Sequence, residues 1–349
     1  MICGALILNL TLMNNKDIVT VLEGDEQAYR LDSAISNSDI GHFLTSPGFF
    51  HETKMMGGEG ISSSGFRLGT ALDILLTEGE DVFDEQYVVQ PAFESAPSSP
   101  QQHAFVDLVV EGGDIIDAYK NCGYKVDSKT DAAIEKAAKK LYGELTAYID
   151  FFKGVNGRIQ LNQEEHDKLV QMRRSVENHP VGEVFLLEPN GETVFNQLKL
   201  RWTEVIREGL TMVLKGMMDK VIVNPSEKIV DIYDLKTTAK SWFSFVSFAI
   251  PAYGYDRQAT MYVRAVKYLL ISLGENPDDW TINFHIFAVQ SDNRFESRVF
   301  TVPQSVFDDQ EPKITKALDD INWHKETGVW NITRAAHNNG GYELYEPAA

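Results

Sequence analysis

The sequence predicts an α/β fold, with a central mixed β-sheet flanked by helices. Three observations point there. Three strand patterns follow one another, "ETVFNQLKLRWTEV", "LTMVLKGMMDKVIVN" and "KIVDIYDLKTT". A long helical pattern, "YGYDRQATMYVRAVKYLLISLG", comes next. A further strand, "WTINFHIFAVQS", follows that helix. Three adjacent strands, a helix and another strand make a mixed sheet with helices against it.

The remaining elements follow in chain order. "MICGALILNLTLM" is apolar, but it has no basic flank or small-residue cleavage pattern and is too short to span a bilayer. It reads as a loose or strand-like start, with Met13 an equally good initiation point. "SAISNSDIGHFLTSPGFF" opens with capping residues, forms a short helix and breaks at Ser-Pro after Thr45. "GGEGISSSG" is a flexible loop and lacks the Lys-Ser/Thr of a phosphate-binding loop. "FRLGTALDILLTEG" is helical, with Leu68, Leu72, Leu75 and Leu76 on one side. "YVVQPAFESAPSSPQQ" is a strand followed by a Pro/Ser-rich loop. Two charged helices fill Thr130 to Glu177, the second starting near Asn162. "NPSE" has hairpin chemistry, and Gly274 ends the long helix. "ESRVFTVP" is a last strand, Gln304 to His324 a last helix, and Trp330 sits in a loop-rich tail. The expected organisation is an N-terminal extension over residues 1–32 and a single domain over 33–349. That domain has an N-terminal helical elaboration and a helical insertion at about 103–177.

Composition excludes some classes. The 349 residues are 43% hydrophobic and 11% aromatic, enough to fill a core. Two cysteines, Cys3 and Cys122, make neither a disulfide framework nor a Cys-based zinc site, and they fit a reducing cytoplasm. No pair among the eight histidines has metal-ligand spacing, so His103, His166 and His285 read as structural or surface residues. A net charge of -19 argues against coating nucleic acid through bulk electrostatics. The charge is uneven, however. Lys199 to Arg257 holds nine Lys/Arg against seven Asp/Glu, a balance of +2 that leaves -21 for the rest.

The chemistry concentrates in that near-neutral stretch. Asp234 and Lys236 lie two apart in an apolar strand and therefore share a face, while Leu235 points into the core. Asp219 sits on the preceding strand of the hairpin, within reach of Asp234. Buried carboxylates are costly without a partner, and hard oxygen ligands suit Mg²⁺ or Mn²⁺. Acid-x-Lys triplets also occur at Glu52/Lys54, Asp127/Lys129 and Glu311/Lys313, but none of those lies in an apolar strand. The aromatics of "SWFSFVSFAIPAYGY" can stack on a frayed base, although most should be core. Trp242 and Tyr255 are the ones expected at the surface, and Lys215, Lys240 and Arg257 are candidate phosphate contacts.

Asp219, then Asp234-Leu-Lys236, then Gln258-x-x-x-Tyr262 resembles the PD-(D/E)XK nucleases of the RecB/RecE/lambda-exonuclease type. "ISNSDIGHFLTSPGFF", "LNQEEHDKLVQMRRSVENHP" and "TGVWN" are similar to further segments of RecE-like phage exonucleases, so the resemblance runs from about Ser33 to Trp330. It implies a restriction-endonuclease-like core. It implies Asp219, Asp234 and the Leu235 backbone carbonyl as metal ligands and Lys236 as the catalytic lysine. Gln258 and Tyr262 would position the site or touch the strand. Two positions depart from the family. Where relatives carry "GTAxH", this chain reads "GTALD", so Asp73 replaces a histidine ligand. Gln197 stands where relatives often carry Glu.

The activity implied is Mg²⁺-dependent exonuclease action on linear duplex DNA, 5′-to-3′, in phage-type recombination within a bacterial host cytoplasm. The implied partners are duplex DNA ends, a single-strand annealing protein and further copies of the chain in a trimer or tetramer, with no membrane. The CRISPR-associated relatives hold an iron-sulfur cluster on four cysteines, which two cysteines cannot supply. The alternative is a catalytically impaired nuclease fold that binds DNA or protein. Asp73 and Gln197 favour it, and the intact Asp219, Asp234 and Lys236 oppose it.

Overall fold

The structure, a computed structural model, describes residues 18–23, 26–58, 64–190, 192–292 and 294–343. The apolar N-terminal stretch and residues 59–63 of the Gly/Ser loop lie outside the described residues. The chain forms two compact units, one from residues up to 78 together with those from 171 onward, the other from 79–170. The strands are β1 (Val19–Val21), β2 (Tyr87–Val89), β3 (Ile159–Leu161), β4 (Val194–Arg207), β5 (Leu210–Asn224), β6 (Ile229–Thr238), β7 (Thr281–Gln290) and β8 (Ser297–Thr301). Four helices matter below: α1 (Asn37–Thr45), α2 (Ser64–Thr77), α3 (Tyr255–Ser272) and α4 (Gln304–Thr327).

The larger unit holds a six-stranded sheet in the order β1-β4-β5-β6-β7-β8. The sheet is mixed, as expected. β4 and β5 pair antiparallel through a turn at Gly209, whose φ of 74° suits glycine. β5 and β6 pair antiparallel from Asn224–Ile229 to Lys220–Tyr233. Their turn is held by Asn224, whose Oδ1 accepts from Ser226 Oγ at 2.7 Å and from the Glu227 N–H at 3.3 Å. β6 and β7 are parallel along their whole length, which requires a crossover, and the segment carrying α3 supplies it. β8 closes the far edge antiparallel to β7.

The core lies where α3 and α4 meet one face of the sheet. Trp202, Leu214, Met218, Ile232 and Phe284 from the strands pack with Met261 and Ala265 of α3 and with Leu318 and Ile321 of α4. Each large apolar side chain removed from water contributes roughly 1.5–3 kcal/mol. Gly216 sets how closely α3 can approach. A Cβ there would stand 2.9 Å from Tyr262 Cε1, so only glycine lets the tyrosine ring lie on β5.

Local caps explain the helix starts. Ser36 accepts from the Asp39 N–H at 3.2 Å, and Asp39 Oδ2 accepts from the Ser36 N–H at 2.8 Å, a reciprocal box that starts α1. Ser46 caps the Pro-led turn Pro47–Phe50, which is the break expected after Thr45. Gly274, at φ 81°, follows the end of α3.

The smaller unit packs helices Pro100–Val110, Ile115–Asn121 and Asp131–Gly154 around Phe105, Ala138, Leu145 and Ile149. It also holds the short parallel pair β2–β3. Helix Gln163–Glu177 begins one residue after Asn162, whose Oδ1 accepts from the Glu165 N–H at 2.9 Å. Among the described residues no helix is long and apolar enough to cross a membrane.

Candidate active site

The β5–β6 ladder stops at Lys220–Tyr233, one step before Asp219 would face Asp234. Like charges directly opposite destabilise a ladder. Asp219 instead accepts the Leu235 N–H on Oδ2 at 2.7 Å, so its carboxylate lies against the peptide joining Asp234 to Leu235. The two aspartates therefore share one site, as their strand positions predict. Leu235 is buried, and the Leu235 group seen at the site is its N–H.

Asp234 is 1% exposed. Its Oδ1 accepts from Gln258 Nε2 at 3.1 Å, and its Oδ2 forms an ion pair with Lys236 on the same strand face. Gln258 Nε2 also donates to the Tyr262 hydroxyl at 3.0 Å, so Tyr262 steadies Gln258 one turn away on α3, and Gln258 in turn holds Asp234. The Lys236 ammonium stands 5.1 Å from the centre of the Tyr255 ring, a cation–π contact.

α2 delivers a third carboxylate. Gly69 lets this helix run close to β6, since a Cβ there would stand 3.1 Å from Thr237 Oγ1. One turn later Asp73 accepts on Oδ2 from Gln197 Nε2. Its Oδ1 is buried with no hydrogen-bond partner. Gln197 lies on β4 between Asn196 and Leu198, which pair with Lys220 and Met218, so it stands opposite Asp219.

The charges do not balance. Burial pushes Asp73 up to about 7, against the lowering pull of the Gln197 hydrogen bond and the Lys236 charge. Burial also drives Asp219 well above the usual carboxylate range, and the charges of Asp73 and Asp234 push it further. Asp234 is raised by burial despite Lys236 beside it. Burial alone would lower Lys236, but Asp234 and Asp219 outweigh it and hold the ammonium protonated. Three acids, Asp234 buried and Asp73 and Asp219 half-buried, thus face a single base.

Oxygen donors with that excess of negative charge fit a divalent cation such as Mg²⁺ or Mn²⁺. The orphaned Asp73 oxygen is the observation that supports the fit. Among the described residues no three His, Cys, Asp or Glu side chains are already gathered as a cage. Two of the three carboxylates are engaged within the chain, Asp234 by the Lys236 ammonium and Asp219 by the Leu235 N–H.

The expected DNA contacts divide. Lys240 is exposed. Tyr255 is half-buried under Lys236, not at the surface as expected. Arg257 is half-buried, with Nε donating to Asn37 Oδ1 at 2.7 Å, so it ties α3 to the start of α1. Lys215 needs correction as a phosphate contact. It is 3% exposed, and Nζ donates to the carbonyls of Tyr29, Asp32 and Arg30 at 2.7, 2.8 and 3.3 Å. Those three bonds use every hydrogen of the ammonium to close the end of helix Glu26–Leu31. Trp242 is likewise half-buried: its Nε1 donates to Glu296 at 2.8 Å and Arg298 covers its ring at 5.0 Å. The exposed aromatics of that segment are Phe243 at 72%, Phe248 at 62% and Tyr253 at 57%. Sequence spacing did not single these out, because the segment winds through a π-helical turn, Phe245–Ala249, that shifts the faces.

Comparison with known proteins adds three findings. Residues 104–336 match the family model of a PDDEXK-like domain of unknown function (DUF3799). That stretch contains Gln197, Asp219, Asp234, Lys236, Gln258 and Tyr262, and leaves out Asp73. No curated protein sequence matches the chain. A crystal structure described as a putative exonuclease from Eubacterium rectale is similar at 10% identity and a TM-score of 0.48, covering 94% of this chain and 97% of that one. The family match spans more than half of the sequence and includes the strand pair carrying Asp219 and Asp234 and the helix carrying Gln258 and Tyr262, and on that match the chain belongs to the PDDEXK-like family, a nuclease fold.

Proposed function

We propose that this protein is a divalent-metal-dependent DNA exonuclease that hydrolyses phosphodiester bonds of linear duplex DNA. One observation carries the reading: the carboxylates of buried Asp234 and half-buried Asp73 and Asp219 gather about one lysine on adjoining elements, with Asp73 Oδ1 unpartnered, an arrangement that a cation would relieve. Asp219, Asp234 and Asp73 would hold Mg²⁺ or Mn²⁺. When bound, the ion supplies Lewis acidity toward a phosphoryl oxygen.

The chain's own groups do the rest. Lys236 stays charged and offsets negative charge growing on the phosphate, or orients the attacking water. Gln258 holds Asp234 in one orientation through the bond to Oδ1. Tyr255 limits the paths open to the Lys236 ammonium by lying beneath it. Lys240 would meet the backbone, and Phe243 and Phe248 would stack on bases of an opened end. Alanine at both phenylalanines should raise KM for DNA about tenfold with little change in Tm, and an unchanged KM would remove them from the interface.

The resemblance to the RecE and lambda-exonuclease branch supports 5′-to-3′ polarity, a role in phage-type recombination in a bacterial cytoplasm, and ring-like trimers or tetramers working with an annealing protein. The deciding experiment is digestion of linear and circular duplex DNA with Mg²⁺, with Lys236→Ala as control. Loss of the linear form alone, abolished by the substitution, is the expected result. Nicking of the circle would overturn end dependence. No digestion with any divalent ion would favour a nuclease-fold binding module.

A further inference from the structure

We propose that Gln197 is a positioning residue whose amide, with that of Asn196, clamps the last turns of α2 and fixes the Asp73 carboxylate with Oδ1 left open. The argument starts from backbone geometry. Gln197 has φ 47°, the left-handed region, at the fourth residue of β4. A non-glycine residue there costs on the order of 1–3 kcal/mol and persists only where its surroundings impose it. The strain is confined to one residue, because Asn196 and Leu198 keep their pairing with Lys220 and Met218.

The side chains show what that conformation achieves. Consecutive residues of a regular strand point to opposite faces. Here both reach the same helix. Asn196 Nδ2 donates to the Thr77 carbonyl, and Gln197 Nε2 donates to Asp73 Oδ2, one helical turn earlier. The left-handed backbone at Gln197 lets neighbouring amides grip α2 together.

The chemistry of the amide matters as much as its place. Gln197 offers a donor to a carboxylate at any pH, which an ionised glutamate of the same length could not do. One Asp73 oxygen is thereby pinned, and the other remains buried and unpartnered. Asp73 is thus held in a single orientation inside the acidic cluster, ready to share a cation with Asp219. This consequence for cations rests on the metal-dependent reading above.

The test uses Gln197→Gly, because glycine accepts φ 47° without strain and removes the amide. The variant should remain folded with an unchanged or higher Tm. Its affinity for Mn²⁺, measured by calorimetry on the full chain, should fall about tenfold or more. In an Asp73→Ala background the same substitution should change Mn²⁺ affinity no further, the sign that it acts through Asp73. Unaltered Mn²⁺ affinity in the single variant, or an equal loss in both backgrounds, would overturn the proposal. If the unsubstituted protein takes up no Mn²⁺, the metal reading fails, and a metal-free crystal structure of Gln197→Gly decides the clamp alone. An Asp73 carboxylate turned away from its present place supports it, and an unmoved one refutes it.

Discussion

Two clusters of charge among the described residues of the larger unit are built on opposite terms. In one, Arg264 of α3 is 6% exposed and fully engaged. Nη1 donates to Glu204 at 2.8 Å, Nε to the Glu311 carboxylate at 2.7 Å and Nη2 to the Glu311 carbonyl at 2.9 Å. The other Glu204 oxygen accepts from Trp202 Nε1 at 3.1 Å. In the other cluster, Asp73, Asp219 and Asp234 share one lysine, and an Asp73 oxygen has no partner. The first set ties β4, α3 and α4 together. The second is tense as it stands. A satisfied buried network reads as architecture, and an unsatisfied one points to a missing ligand.

The comparison breaks most sharply at the two cations. Lys236→Ala should cut hydrolysis about 10³-fold, the scale seen when one pre-organised electrostatic group is lost. Measured as turnover per folded molecule, a loss under tenfold would return Lys236 to a structural role. Arg264→Met should do the reverse. Leaving Glu204 buried without its partner should cost about 3–5 kcal/mol in denaturant unfolding. Turnover of the folded fraction should change little, since the Arg264 guanidinium bonds Glu204 and Glu311 and none of the three aspartates. A stability loss with equal loss of turnover would mean that the two networks are coupled.

The contrast also shows what the sequence could reveal. Asp219, Asp234 and Lys236 were legible because strand alternation fixes their faces and a short hairpin fixes their neighbourhood. The mixed sheet followed from the same patterns, but its edge strand β1, only three residues long, did not. Asp73 was suggested only by resemblance, and its bond to Gln197 joins residues 124 positions apart, which no local period reports. Lys215 misled because a lysine's sequence context does not show whether its ammonium meets solvent or the carbonyls closing a helix. The Glu204–Arg264 pair, 60 positions apart, went unread for the same reason. Short-range physics writes itself into spacing, whereas long-range satisfaction of charge does not.

A finer test applies one chemical change to both clusters. Both Glu204 oxygens accept, from Trp202 Nε1 and Arg264 Nη1, and an amide would turn an NH2 toward one of these donors, so Glu204→Gln should destabilise by roughly 1–3 kcal/mol. Acid to amide at Asp219 removes a charge that Asp73 and Asp234 repel, so Asp219→Asn should raise Tm in metal-free buffer while abolishing hydrolysis. Opposite signs sustain the distinction between the clusters, and matching signs dissolve it.

The smallest effect is the pH response of the metal-free protein, and its sign follows from linkage. A carboxylate raised in the folded state binds its proton more tightly there than in the unfolded chain. Between the ordinary carboxylate range and the folded value the native state then holds more protons, and stability falls as pH rises. For Asp73 that window ends at about 7, and for Asp219 it extends higher. Without divalent ions, Tm should therefore decline by several degrees from pH 5 to pH 8. Saturating Mg²⁺ favours the deprotonated carboxylates and should flatten that decline. Glu204 is raised by burial as well, but its two oxygens already accept from Trp202 Nε1 and Arg264 Nη1, so its share of the slope should persist. A slope that Mg²⁺ leaves untouched would mean the three aspartates do not share a cation. A slope removed in part, with the remainder lost on Glu204→Gln, would assign each portion of the pH dependence to its own cluster.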